Sequence, residues 1–484
     1  MAHVIKGGLL QVLLLSVFVW ITSAQTQTGG ISGAVSDPAG AVVPGANLLL
    51  MNLETNETRR QSSNEIGVFR FAALPPGRYR LEVEHSGFKR FIQGPIEVRV
   101  QQFLTLNPTL EVGQATQTVE VTGQVALLDP STSSLSHVVE NRQVTELPLN
   151  GRNTLALVAL TPGIRTQGEF TQHVATRSYA GWGNFSSNGG ISDANEILVD
   201  GGSVTMFLMN APSLIPPVDA TQEFRVQTNN YSAEFDRSAG AVVNIGIKSG
   251  TNRLHGSVYE FFRNDKLDAN DFFQNRAGQK RPRLVYNQYG FSAGGPVWIP
   301  KVYDGRGQTF FFGNFEGFRQ RLAKTVTTTV PTAGQLAGDF AQTFTASGEL
   351  VTIADPFSTR TLSSGALMRD PFPGNRIPAN RFDPVADKLR NGRVWALPNV
   401  PGQRFTGLDN FSTSATQPSD EDQVITRIDH TLTSKWKLFG TYSSQSFALG
   451  DWDPFRNGTD LLAKTGRRRV YTLCWNTKKM EIWP

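Results

Sequence analysis

Cysteine occurs once in the 484 residues, at Cys474. No intramolecular disulfide can form, and no cysteine-based metal or redox motif surrounds it. Charge is sparse: 18% of residues are ionic, below the roughly 25% of an average soluble domain. After the N-terminus there is no run of 18 apolar residues, so no transmembrane helix is expected and any membrane role must come from strands. The net charge of +5 is unevenly placed: Arg467, Arg468, Arg469, Lys478 and Lys479 face Glu481 alone near the C-terminus. A nucleic-acid binder needs a basic face on a folded domain, and no nucleic-acid partner is expected. What is plentiful is glycine, with 46 residues, and phenylalanine, with 31. That mixture suits β-structure with many turns and aromatic surfaces.

The N-terminus reads as an export signal. Lys6 supplies a positive charge, Leu9–Ile21 an apolar core, and Thr22-Ser23-Ala24 a small-residue cleavage site before the polar Gln25. Charge, apolar core and small residues in that order predict cleavage between Ala24 and Gln25. The mature chain then leaves the cytoplasm.

From Gly29 to about Val112, short strands alternate with turn chemistry such as Asp37-Pro38-Ala39-Gly40 and Leu74-Pro75-Pro76-Gly77. Tyr79, Leu81 and Val83 alternate with Arg78, Arg80, Glu82 and Glu84, the period of a half-buried strand. Several strands at this spacing predict a sandwich. The strings SGAVSDPAGAVVPGANLLLMN, GVFRFAALPPGRYRLEVEHSGFKRF and LNPTLEVG resemble the carboxypeptidase-regulatory-like domain. That resemblance implies a transthyretin-like, carbohydrate-binding-like β-sandwich. Phe69, Phe71 and Tyr79 sit at core-like positions, which favours a periplasmic spacer over a sugar-binding face. His137 and Glu140 have the H-x-x-E spacing of a zinc site, with His255 far downstream. Zinc needs convergent ligands with outer-shell support, and no strand–helix alternation surrounds these histidines. The pattern reads as coincidence; no metal, cofactor or catalytic residue is expected, and the chain is not expected to be an enzyme.

Thr118-Val119-Glu120-Val121-Thr122-Gly123 follows the sandwich. Two readings stand: a plain last strand or linker, or an exposed peptide that adds a strand to a partner's sheet. In the second, Val119 and Val121 face one side and Glu120 and Thr122 the other. From about Ser134 the character changes. ELPLNGRNTLALVALTPGI, ISDANEILVDGG and the long string from Val218 to Phe273 resemble the plug of TonB-dependent outer-membrane receptors, and in that family a segment before the plug resembles the TonB box. Asn150-Gly151, Asp200-Gly201 and Ser249-Gly250 are turn chemistry joining short strands. The mixed charges Glu223, Arg225, Glu234, Asp236 and Arg237 suit a domain inside a polar barrel lumen, and read as structural pairs rather than a substrate gate.

Beyond Gly256, Tyr289, Phe291 and Ala293 alternate with Gln288, Gly290, Ser292 and Gly294, as outer-membrane strands do. Phe310, Phe311, Phe312, Phe315 and Phe318 fit an aromatic-rich membrane strand, and QVITRIDHTL, Thr433-Ser434 and the alternation of Trp436, Leu438 and Tyr442 with Lys437, Thr441 and Ser443 predict a hairpin. FFFGNFEGFR, PGNRIPANRFDP and TRIDHTLTSKWKLFGTYS resemble the Oar-like TonB-dependent barrel. A mainly β chain is therefore expected: signal peptide 1–24, sandwich 25–113, linker 114–133, plug 134–254, the first strands of an incomplete outer-membrane barrel 255–464 with a long loop 331–421, and an atypical basic tail 465–484. Six or seven strands can be placed, against about 22 in transporter barrels, which predicts a truncated copy. The resemblance implies uptake of an unidentified small ligand or glycan, with a TonB energy-coupling protein and outer-membrane lipid as partners and the sandwich in the periplasm. The alternative is a surface binding or adhesion protein that uses the sandwich.

Overall fold

The computed structural model describes residues 28–114, 117–121, 134–149, 151–167, 184–192, 194–206, 212–235, 239–276, 278, 280–391, 394–433, 436–450, 453–455 and, as backbone alone, 464–477. The export signal, Thr122, Gly123 and Asn150 lie outside the described residues.

The N-terminal unit is the expected sandwich. Strands β1 (Gly29–Ala34), β2 (Asn47–Asn52), β3 (Thr58–Ser62), β4 (Val68–Leu74), β5 (Gly77–Glu84), β6 (Arg90–Val98), β7 (Phe103–Thr105) and β8 (Thr118–Val121) form two sheets, ordered β4-β1-β7 and β3-β2-β5-β6-β8. The Asp37 turn closes because its carboxylate accepts the Ala39 and Ala41 N–H groups at 2.9 and 2.8 Å, the usual local role of Asp in turns. Tyr79, Leu81 and Val83 point into one core with Ile31, Leu48, Leu50, Phe69 and Phe71. The three rings considered for sugar stacking are therefore core. Glu82, on the opposite face of β5, is buried as well, held by Arg80 at 2.7 Å and by Arg90.

The middle unit contains β9 (Leu135–Val139), a helical turn Asn141–Glu146, the hairpin of β10 (Ile164–Gln167) with β11 (Asn184–Ser187), β12 (Glu196–Val199), β13 (Gly202–Ser203), β14 (Thr221–Asn229) and β15 (Val242–Ile247). Its main sheet runs β13-β12-β15-β14-β9. Ile197, Val199, Phe224, Val226, Val243 and Ile245 form a fully apolar core on one side. Asp200 and Gly201 both have positive φ, 50° and 82°, so the β12–β13 connection is the two-residue turn that Asp-Gly favours. Ser249-Gly250 is not a hairpin turn. A Cβ on Gly250 would lie 2.3 Å from the Phe311 carbonyl and 2.6 Å from that of Gly295, so glycine is needed there for the chain to pass against the next sheet.

That sheet is a six-stranded meander whose spatial order follows the chain. It is built from β16 (His255–Asn264), β17 (Leu284–Pro296), β20 (Thr309–Thr328), β23 (Phe411–Thr433), β24 (Trp436–Leu449) and β25 (Lys464–Thr477). A small hairpin, β18 (Trp298–Ile299) with β19 (Tyr303–Asp304), joins β17 to β20; another, β21 (Arg360–Thr361) with β22 (Leu367–Met368), lies in the connection 329–410. Every neighbouring pair in the meander is antiparallel. Two expectations change here. The long loop ends at 410, because Phe411–Glu421 already pairs with β20. Most of the supposed basic tail is β25, paired with β24 from Lys464 to Thr477.

Candidate functional site: the seam between the meander sheet and the middle unit

Register fixes which side chains share a face of the meander. Val258, Phe291, Phe315, Val424 and Ser444 stand opposite one another across five strands, and the neighbouring row is Tyr259, Gly290, Glu316, Gln423 and Gln445. Apart from the buried Ser444, the first face is apolar and open: Val258 is 87% exposed, Ile428 57% and Phe291 51%. The second is polar and closed: Gln288, Asn314, Glu316, Glu421, Gln423, Thr441, Ser443 and Gln445 are all buried. This inverts a soluble protein, where polar atoms face solvent, and matches a strand with lipid on one side and a packed lumen on the other. Above the apolar band, the open face carries the ion pairs Arg319–Asp422 at 2.7 Å and Arg321–Asp420 at 2.6 Å. The phenylalanines divide accordingly. Phe310, Phe312 and Phe318 are buried on the closed side, whereas Phe311 and Phe315 belong to the open face.

The closed row is internally hydrogen-bonded. The Tyr259 hydroxyl donates to Glu316 Oε2 at 2.9 Å and Gln288 Nε2 to Glu316 Oε1 at 2.9 Å. Gly290 leaves room for the tyrosine: a Cβ there would fall 2.5 Å from the Tyr259 hydroxyl.

The middle unit packs on this face through two charged contacts. In the first, Arg427 on β23 donates from Nη1 to Asp200 Oδ1 and to the Ile247 carbonyl, both at 3.1 Å. Its Nε and Nη2 grip Asp429 at 3.0 Å each, and its guanidinium lies 4.5 Å from the Phe439 ring centre. Asp200 also accepts the Ile247 N–H at 2.9 Å and the Thr441 hydroxyl at 2.5 Å, and Ser249 Oγ donates to Asp429 at 2.8 Å. Arg427, Asp200 and Asp429 are all buried, so each charge depends on its partners rather than on water. In the second contact, Arg152 pairs with Asp219 and lies over the rings of Tyr259 and Phe261, 4.9 and 4.1 Å from their centres. Phe312 and Ile425 reach from the meander into the middle unit's core.

The sandwich closes the other side. Glu223 accepts the Val100 N–H, Arg225 donates to the Val100 and Gln101 carbonyls and to Ser136 Oγ, and Gln227 donates to Gln101 Oε1 at 3.1 Å. These charges were expected to face a barrel lumen; they face the sandwich instead. Asp236 and Arg237 lie outside the described residues, and Glu234 is exposed. Burial pushes the Glu223 carboxyl up to about 7, against the pull of the Val100 N–H and Arg99. Lys437 on β24 meets Glu57 of the sandwich at 3.3 Å, and Asn252 donates to the Thr55 carbonyl at 2.6 Å. Where the three units meet, Lys248, Asn252, Arg427, Asp429 and Lys437 help to line a cavity of about 570 Å³.

The zinc-like spacing is not brought together as a site. His137 lies on β9 and His255 opens β16, while Glu140 caps the helical turn Asn141–Glu146 and pairs with Arg99 at 2.5 Å. Of the predicted partner-binding segment, Thr118, Val119, Glu120 and Val121 form β8 on the sandwich edge. The seam itself was missed by sequence reasoning. A signal for it exists: Arg427 and Asp429 are two apart in VITRIDHTL, on one face of an otherwise apolar-polar strand.

Comparison with known proteins agrees with this architecture. Residues 246–472 match the outer membrane beta barrel domain, and residues 30–111 match the carboxypeptidase regulatory-like domain. The TonB-dependent transporter Oar of Myxococcus xanthus is 26% identical over 308 residues, covering 60% of this chain and 27% of the relative. The chain thus spans about a quarter of that relative's length. Among solved structures, the outer membrane transporter YddB from Escherichia coli has 12% identity and a TM-score of 0.40, covering 70% of this chain and 36% of its own. The siderophore receptor PirA from Acinetobacter baumannii has 15% identity and a TM-score of 0.39, with 72% and 38% covered.

Proposed function

We propose, from the premise that the chain is a TonB-dependent outer-membrane receptor of the Oar-like type with an N-terminal carboxypeptidase-regulatory-like domain, that it serves energy-coupled uptake of a small ligand. The chain is an outer-membrane protein. The observation that carries the reading is the inverted meander, apolar where open and polar where it meets the middle unit. In this reading the middle unit is a plug seated on lumen-facing strands. The Arg427–Asp200 contact holds it closed, and a periplasmic TonB protein supplies the pull that frees it. The sandwich sits in the periplasm as a spacer, and no residue is assigned a catalytic role.

Thr118–Gly123 is the proposed TonB box. Val121→Pro removes a strand N–H and fixes φ, so binding of a TonB C-terminal fragment to the full chain is expected to be lost while the sandwich stays folded. Unchanged binding returns the segment to a plain linker. Uptake of labelled candidate ligands by cells carrying the gene, with and without TonB, tests transport directly. Surface binding without TonB-dependent accumulation would favour an adhesion protein.

A further inference from the structure

The sandwich is complete without β8. Leu48, Leu50, Leu81 and Val83, all fully buried, come from β2 and β5, neither of which pairs with β8. β8 is the last strand of its sheet, four residues long, and runs parallel to β6 in the register Arg90↔Thr118 to Gln93↔Val121. The chain just before it is pinned more firmly. Phe88 bridges Val112, Lys89 N–H donates to the Glu111 carbonyl at 2.8 Å, the Lys89 side chain pairs with Glu111 at 3.0 Å, and Arg90 N–H donates to the Gln117 carbonyl at 2.9 Å.

The two faces of β8 differ. Thr118 and Glu120 are exposed, while Val119 and Val121 are half-buried and Val121 packs against the sandwich core. Strand addition draws affinity from the main chain and specificity from alternate side chains placed in pockets. While β8 is seated, its apolar alternates are turned into the sandwich and half of its main chain is engaged by β6. A partner would find only Thr118 and Glu120 to read.

We propose that the β6 edge of the sandwich is a docking groove for this chain's own residues 118–121, and that it competes with a periplasmic partner strand for them. The inference rests on the TonB-box reading and adds a regulator to it: the sandwich sets how much of the box is free. A four-residue parallel ladder with two half-buried valines favours the seated strand by roughly 10- to 1000-fold. The partner's apparent affinity falls by the same factor, because only the released fraction is competent.

The test locks the strand in place. Ile92 and Glu120 lie opposite each other in the ladder, so Ile92→Cys with Glu120→Cys, in a full chain carrying Cys474→Ser, places two thiols within bridging range. A second pair, Arg90→Cys with Thr118→Cys, covers the case where the first folds poorly. Binding of a TonB C-terminal fragment is measured before and after dithiothreitol. The expected result is efficient disulfide formation, at least about 10-fold weaker binding when oxidised, and recovery on reduction. Equal binding in both states overturns the proposal, because the box is then read in place or elsewhere. Failure of both pairs to oxidise overturns it too, since the strand is then not seated on β6. If neither the parent nor the reduced chain binds the fragment, the TonB-box reading fails and takes the competition with it. The disulfide yield still reports separately that residues 118–121 occupy the groove.

Discussion

Replacing Asp200 by alanine removes three partners at once: Arg427 Nη1 at 3.1 Å, the Ile247 N–H at 2.9 Å and the Thr441 hydroxyl. At 3.1 Å the gross attraction of a unit pair is about 5 kcal/mol for an effective dielectric near 20. Most of that is offset by the cost of drying the two ions, so the figure to use is the loss on removing one member of a buried pair, about 3–5 kcal/mol. The lower end applies, because Arg427 keeps its two-pronged grip on Asp429 and the Ile247 carbonyl. Alanine at the φ of 50° held by Asp200 adds about 1 kcal/mol of backbone strain. Asp200→Asn is the informative control. Asparagine suits the same turn, keeps a carbonyl for Arg427 and Ile247, and can turn its amide towards Thr441. Its loss is about 1–2 kcal/mol. Hydrogen exchange of the peptides spanning 196–203 and 242–250, in protein held in detergent or lipid, reads the opening of this contact. Exchange should quicken on the order of 1000-fold for Asp200→Ala and about 10-fold for Asp200→Asn. If alanine and asparagine exchange alike and no faster than the parent, the contact does not hold the middle unit on the meander.

Glu223 makes the joint between sandwich and middle unit respond to pH. Its carboxyl is raised from 4.5 to about 7, chiefly by burial. A raised acid keeps its proton when folded, so the joint is at full strength below the unfolded value and loses about 3 kcal/mol as pH climbs from 4.5 to 7. Glu223→Gln, neutral at every pH, should flatten that slope; urea midpoints measured at intervals across the window check it, and a parent slope that persists in the variant refutes the assignment. For export, the mature chain should begin at Gln25. N-terminal sequencing of envelope protein decides this, and an intact Met1 there would show that the signal is not cleaved.

Much of the architecture was legible because alternation reports faces directly. Tyr79, Leu81 and Val83 were read as core, and Phe291 and Ser292 were read on opposite faces; both follow from period-2 geometry alone. The boundaries were not legible where the physical requirement is met by backbone rather than side chain. Gln417-Pro418-Ser419-Asp420-Glu421 reads as loop. It is strand because Asp420 and Asp422 meet Arg321 and Arg319 across the ladder, a pairing 100 residues distant that no local pattern announces. The arginine run at 467–469 looked foreign to a barrel, yet ladder pairing with β24 depends on main-chain groups. Glu223 and Arg225 were seen as a charge cluster, but their partners are the Val100 and Gln101 backbone, and a backbone partner leaves no trace in composition.

The seam and the core bury different chemistry, and that difference bears on how the middle unit would move. The middle unit's own core is apolar throughout, from Leu155 to Ile247. Its contact with the meander is mostly ionic and hydrogen-bonded: Arg427 with Asp200, the Ser257 hydroxyl with Asp219 at 3.3 Å, Gln423 with the Ile215 carbonyl at 3.1 Å. Water entering the seam can replace each of those bonds, so separation costs only their small net strength. Water entering the core can replace nothing, and exposing it costs about 25 cal/mol for each Å² of apolar surface. A pull on the middle unit therefore meets less resistance by parting the seam than by unravelling the sheet. Phe312 and Ile425 are the exception, since both insert from the meander into the middle unit's apolar cluster. They anchor a polar interface at two apolar points, and those points are where the resistance to unseating concentrates.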